Sequence, residues 1–289
     1  MSAPTFTVTE PGIYPGIPEA AYHADPVPGR SLSSTGAKKL LPPSCPALFQ
    51  HDRIHGQAPR DEFDFGHAVH SLVLGEGPQF EVLDFPDWRS KTAREARDEA
   101  RASGLVPILT GDWTTAEAMA QRVAEHPIIG GLFQGGTPEV SLFWQDAATE
   151  QWCRGRVDYL KQLPGLTLSV DYKTTKDASP EAIRRAIHEY GYNLQAAWYM
   201  AGLGTLRPDD DQRFVFVFQQ KTAPYLITVR ELDQQALDIG RAKAERALRI
   251  YAECTAADRW PDWTGPIADI PFINLPTWAA IRDTEEFLK

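Results

Sequence analysis

Cysteine is scarce in this chain. The 289 residues contain three, Cys45, Cys153 and Cys254, far apart and with no Cys-x-x-Cys pair. Such a set excludes a disulfide framework, a zinc ribbon and a four-cysteine iron–sulfur cluster, and leaves reduced thiols that behave as small buried apolar groups. Long apolar runs are lacking as well: none approaches the ~18 residues that span a bilayer. The N-terminus has no basic start followed by an apolar stretch, so it does not read as a secretory signal. An intracellular, cytoplasmic protein with no membrane partner is the expectation. Positive charge is in deficit, with 29 Lys and Arg against 39 Asp and Glu and a formal charge of −10. That balance excludes nonspecific coating of nucleic acid but permits a local basic groove, and it suits carboxylates gathered around a divalent cation. Internal repeats and low-complexity linkers are absent.

What is present is a globular balance, 43% hydrophobic and 24% charged. The 23 prolines are dispersed, with clusters from Pro11 to Pro28 and from Pro261 to Pro276. They predict a single domain with arms: an irregular N-terminal arm and short helix over 1–60, a core over 61–256, and an extended Pro/Trp-rich C-terminal arm over 257–289 anchored by Trp260, Trp263 and Trp278. Ser33 and Ser34 cap a helix to Leu41. Helical spacing of Ala68, Val69, Leu72 and Val73 predicts a helix from Asp64 to Leu74. The polar stretch from Trp88 to Gly104 predicts a solvated helix, and Thr114 to Glu125 another. Alternation predicts strands over Glu139 to Trp144, Gln151 to Leu160 and Leu166 to Lys173. Ser179-Pro180 opens a helix that Gly191 interrupts. Two strands, Arg213 to Gln219 and Tyr225 to Glu231, precede a helix from Asp233 to Cys254. The fold class is α/β, a mixed sheet with helices packed on it.

Chemistry concentrates in Gly155-Arg156-Val157-Asp158 and Val170-Asp171-Tyr172-Lys173. Between them, Pro164-Gly165 fits the central positions of a type II turn. A hairpin centred there sets Asp158 opposite Asp171, and opposed residues lie about 4.5–5.5 Å apart at Cβ. Two carboxylates at that distance repel unless a cation intervenes or one is protonated. Lys173, two residues from Asp171, shares its face. Oxygen ligands of this kind suit Mg²⁺ or Mn²⁺, and the lysine can stabilise a phosphate's charge or help deprotonate an attacking water. Asp-x-Lys alone is common by chance; its place on a strand, its apolar flanks and the opposed Asp158 distinguish it here.

These residues resemble the PD-(D/E)XK nuclease core. Further motifs resemble the RecE-type (exonuclease VIII) family of phage and prophage exonucleases. They are Tyr14-Pro15-Gly16-Ile17, Tyr22-His23, Leu32-Ser33-Ser34, Phe65-Gly66-His67-Ala68-Val69-His70, Pro138-Glu139-Val140-Ser141, Val170-Asp171-Tyr172-Lys173-Thr174-Thr175, Tyr192-Asn193-Leu194-Gln195-Ala196-Ala197-Trp198-Tyr199, Trp260-Pro261 and Leu275-Pro276-Thr277-Trp278. Val157 departs from the proline that the family usually places before the first Asp. The resemblance implies a restriction-endonuclease-like core with a helical N-terminal elaboration. It makes His70 a metal ligand beside Asp158, Asp171 and the backbone carbonyl of Tyr172, with His67 as its competitor. Glu139 either touches a second metal or water or holds the helix that carries His70. Lys173 is the catalytic cation, and Gln195 and Tyr199 contact DNA. The implied activity is Mg²⁺-dependent 5′-to-3′ digestion of linear duplex DNA in the host cytoplasm. The implied partners are duplex ends, a single-strand annealing protein and further copies of the chain in a ring. The rivals are a Cas4-like or repair-type single-strand nuclease, disfavoured by the missing cysteine cluster, and a catalytically silent DNA-binding subunit. Arg89, Lys91, Arg94, Arg97 and Arg101 offer a DNA path, but Glu95, Asp98 and Glu99 interleave with them.

Overall fold

In chain order the structure, a computed structural model, describes residues 6–56, 61–264, 270 and 272–288. The N-terminal part contains β1 (Gly12–Tyr14), α1 (Glu19–His23), β2 (Leu32–Ser33), α2 (Ser34–Lys39) and α3 (Pro46–His55). There follow α4 (Asp61–Leu74), β3 (Phe80–Leu83), α5 (Lys91–Ala102), β4 (Val106–Leu109), α6 (Thr110–Ala124) and α7 (Ile129–Leu132). The central strands are β5 (Thr137–Gln145), β6 (Trp152–Leu163) and β7 (Leu166–Thr175). The chain continues through α8 (Pro180–Glu189), α9 (Tyr192–Leu206), β8 (Asp211–Gln220), β9 (Ile227–Arg230), α10 (Gln234–Ala257) and α11 (Thr277–Phe287).

The main sheet has the order β1-β5-β6-β7-β8-β9, with β2 added parallel to β6. β5, β6 and β7 form an antiparallel meander, and α8 and α9 carry the chain over to β8, which pairs parallel to β7. Strand β8 explains its own position. Its run Phe214-Val215-Phe216-Val217-Phe218 is buried at every residue, as a strand covered on both faces must be. The phenylalanines join Val140, Leu142, Trp144 and Val157 under α2, α9 and α10. Val215 and Val217 join Tyr159, Val170 and Tyr172 under α4 and α6. The sheet is thus the middle of three layers. Close packing of α9 on α10 depends on Gly240, where an added Cβ would lie 2.1 Å from the Asn193 carbonyl oxygen.

Local signals set several boundaries. The Ser33 and Ser179 hydroxyls accept from the N–H groups of Gly36 and Ala182, capping α2 and α8. Gly191, at φ +61, separates α8 from α9. Ser90 and Asp233 cap α5 and α10 in the same way. Several expectations need correction. The segment before residue 30 is not wholly irregular, because β1 pairs with β5 and α1 buries Tyr22. The short strands β3 and β4, which alternation did not reveal, form a parallel pair beside α5. The C-terminal arm is not extended throughout, since α11 lies within it; residues 265–269 and 271 of that arm are outside the described set. Trp260 anchors the arm by packing on Phe49 and Tyr251, and Trp263 Nε1 donates to the Pro43 carbonyl, whereas Trp278 is exposed. Among the described residues no helix is long and apolar enough to cross a membrane.

Candidate active site

The Pro164-Gly165 turn sets the expected register. Leu163 pairs with Leu166, and the ladder runs to Tyr159 opposite Val170, with Gly165 at φ +70. One step further, where Asp158 would face Asp171, the ladder stops. Instead the Tyr172 N–H donates to Asp158 Oδ2 at 2.8 Å. A side-chain carboxylate takes the place of a backbone carbonyl, and the strands part into a fork.

The other side of the fork is irregular too. Pro138 pairs with Tyr159 and Val140 with Val157, but Glu139, opposite Asp158, has φ +50. That is the left-handed region, unusual for a non-glycine residue within a strand and a common device for aiming a side chain at a functional site. On β6 the alternation slips at the same point: Val157 and Leu160 face the α9 and α10 layer, while Tyr159 faces α4 and α6. Two strand irregularities therefore bring Glu139 and Asp158 to one place.

Helix α4 supplies the third group. His70 Nε2 lies 3.0 Å from Asp158 Oδ2 and its Nδ1 lies 3.2 Å from Glu139 Oε1. One ligand atom from each of His70, Glu139 and Asp158 falls within 4.8 Å of the others, a set that fits a divalent cation. His67, three residues earlier on α4, is exposed and outside this cluster. Burial alone would lower the His70 pKa, but Asp158 and Glu139 outweigh it and push the imidazole up to about 10. Asp158 resists the upward pull of burial and is held below the usual carboxylate range by His70, Lys173 and the Tyr172 N–H.

Asp171, 1% exposed, stands across the fork. Its Oδ1 lies 2.5 Å from Lys173 Nζ, and its Oδ2 accepts from Gln195 Nε2 on α9 at 2.6 Å. Burial raises its pKa to about 6, with Lys173 opposing and Asp158 adding to the rise. Lys173 is held above the ordinary lysine value, because Asp171 and Asp158 outweigh the effect of burial. Its ammonium is paired with Asp171. Tyr172 lies between these two residues, its phenol hydrogen-bonded to the buried Gln219.

Arg156 was not singled out by the sequence. Its Nε donates to Glu139 Oε2 at 2.5 Å and its Nη1 donates to the Ile17 carbonyl, so it both fixes Glu139 and fastens the N-terminal segment to the sheet. Its position two residues before Asp158 was the available signal. Gln195, 9% exposed, spends its amide on Asp171. Tyr199, one turn on, is 7% exposed and packs where an added Cβ on Gly155 would lie 2.7 Å from its ring. Its burial leaves little surface for the expected DNA contact. On α5, Arg101 pairs with Asp64 of α4 at 2.9 Å, which ties two helices together.

A family described as a PDDEXK-like domain of unknown function (DUF3799) matches residues 33–270. This chain belongs to that family. The match spans the His70–Glu139–Asp158 cluster, the fork and both covering layers, so the restriction-endonuclease-like core is the fold of this PDDEXK-like domain. No curated protein matches the chain. Among solved structures, a protein described as a candidate exonuclease from Eubacterium rectale is similar at 11% identity and a TM-score of 0.54, with 87% of this chain and 92% of that one covered. It shares the fold. A phage-related exonuclease from Haemophilus somnus 129PT aligns at 12% identity and a TM-score of 0.32, over 79% of this chain and 96% of that one.

Proposed function

We propose that this PDDEXK-like domain is a Mg²⁺-dependent exonuclease of the RecE type. It digests one strand of linear duplex DNA in the 5′-to-3′ direction and leaves 3′ single-stranded tails for an annealing partner. The observation that carries the reading is the fork itself, where His70, Glu139 and Asp158 converge beside the Asp171–Lys173 pair. Polarity, the annealing partner, a ring of several copies and a cytoplasmic site of action are supported by the motif resemblance.

His70, Glu139 and Asp158 would hold the ion, with Mn²⁺ as a substitute, and the motif resemblance adds Asp171 and the Tyr172 carbonyl. A divalent ion supplies Lewis-acid stabilisation of the phosphoryl oxygens and a more acidic water. The chain's own residues do the rest. Lys173 places an ammonium where negative charge grows on the phosphorane-like transition state. Gln195 fixes the Asp171 carboxylate, and Arg156 fixes Glu139, so neither has to reorganise during the reaction. The test is digestion of linear and closed-circular duplexes with Mg²⁺ or with chelator. Loss of only the linear duplex, and only with Mg²⁺, is expected. Cutting of the circle would make the protein an endonuclease, and no digestion would favour a binding subunit.

A further inference from the structure

Helix α2 ends in two lysines with different surroundings. Lys39 Nζ pairs with Asp52 at 2.5 Å. Lys38 Nζ has no carboxylate within ion-pair distance among the described residues; it sits 5.5 Å from the centroid of the Tyr192 ring. Lys173 Nζ lies the same 5.5 Å from that ring. The two ammoniums are therefore no further apart than twice this distance, one of them inside the fork. The Lys38 stem is guided there by the junction of α8 and α9, where a Cβ on Gly191 would meet its Cδ and Cε at 3.5 Å. Burial and the Lys173 charge push the Lys38 pKa down to about 8, with Asp171 opposing. A partly buried ammonium beside another cation, lacking a carboxylate of its own, is an arrangement that an anion would complete.

We propose that Lys38 binds a backbone phosphate of the DNA neighbouring the scissile one, outside the His70–Glu139–Asp158 cluster. The inference rests on the nuclease reading for the identity of the anion. It assigns the two ammoniums around Tyr192 different tasks: Lys173, paired to Asp171, acts at the reacting phosphate, and Lys38 adds binding affinity for the strand.

The test uses the full chain with Lys38→Met, which keeps the stem, Lys38→Gln as a second neutral variant, and Lys38→Arg. Binding of a linear duplex is measured in Ca²⁺ across a salt series, and single-turnover digestion in Mg²⁺ across DNA concentrations. Both neutral variants should bind about tenfold more weakly and lose about one unit of salt slope. Their rate at saturating DNA should stay within about threefold of wild type, since a contact made equally in ground and transition states does not alter it. Lys38→Arg should restore affinity and slope. Wild-type affinity and slope in both folded neutral variants would overturn the proposal. So would a loss confined to the saturating rate, which would make Lys38 part of the chemistry. If wild-type protein digests nothing yet the neutral variants still lose slope, the nuclease reading falls while the phosphate contact stands.

Discussion

The two ends of the β6–β7 hairpin are built from the same two strands and differ in what satisfies their backbone. From Leu163–Leu166 to Tyr159–Val170 the main chains pair with each other. Beyond that the strands part, and the Tyr172 N–H is satisfied by the Asp158 carboxylate. At the turn end a substitution disturbs only packing and turn geometry. At the fork end, carboxylates occupy the space that a ladder would fill. Like charges stand close there, held by His70, Lys173, Gln195 and Arg156. The charge that makes the fork unfavourable for folding is what makes it receptive to a cation.

The largest effects should come from removing that charge. Asp158→Asn and Asp171→Asn should each reduce Mg²⁺-dependent digestion by about 10³-fold or more, roughly 4 kcal/mol of transition-state stabilisation, with far-UV circular dichroism unchanged. Normal digestion by either variant would remove that residue from the site. Next, Lys173→Ala should lose about 10²–10³ in single-turnover rate, as for one charge-stabilising donor. It should still bind a DNA end in Ca²⁺, read by gel shift; a wild-type rate would reduce the Asp-x-Lys strand to a structural ion pair.

His70→Ala should lower activity by about 10²-fold, near 3 kcal/mol, partly recovered at raised Mn²⁺. His67→Ala, whose side chain is exposed, should change it little. The reverse ranking in parallel assays would show that α4 presents the other histidine.

A further test concerns stability without metal. Asp171 has a folded-state pKa near 6 against an ordinary 3.8. Well below 3.8 the group is protonated in both the folded and the unfolded chain, and it imposes no penalty. Between pH 3.8 and about 6 the unfolded chain ionises this group while the folded protein keeps it protonated, so stability falls across that window and levels off above it. In chelator, Asp171→Asn should therefore be more stable than wild type by on the order of 2 kcal/mol at pH 8, with the gain vanishing toward pH 4. Thermal melts across that range measure it, and a gain independent of pH would refute the charge explanation. The smallest effect belongs to the turn end. Gly165→Val places a β-branched residue at φ +70 and should cost about 1–2 kcal/mol in a denaturant melt, while the rate per folded molecule stays at wild type. A large loss of rate would show that the two ends of the hairpin are coupled.

The sequence by itself determined the parts that depend on short-range physics. Pro164-Gly165 set the turn, and with it the register that brings Asp158 to the edge of Asp171. Ser33, Ser179 and Asp233 set helix starts, and alternation set the central strands and their order of appearance. His70, Asp158, Asp171 and Lys173 could be singled out because motif and spacing coincide. Tertiary structure alone decided how these groups divide. That Glu139 joins His70 and Asp158, while Asp171 turns to Lys173 and Gln195, follows from a positive φ within β5 and a slip of alternation in β6. Neither has a local sequence signature, because each is maintained by contacts with segments far away in the chain. The buried packing of Tyr199 against Gly155 and the clamp from Arg156 to Ile17 are of the same kind. A turn is specified by adjacent residues, whereas the aim of a side chain is specified by everything packed around it.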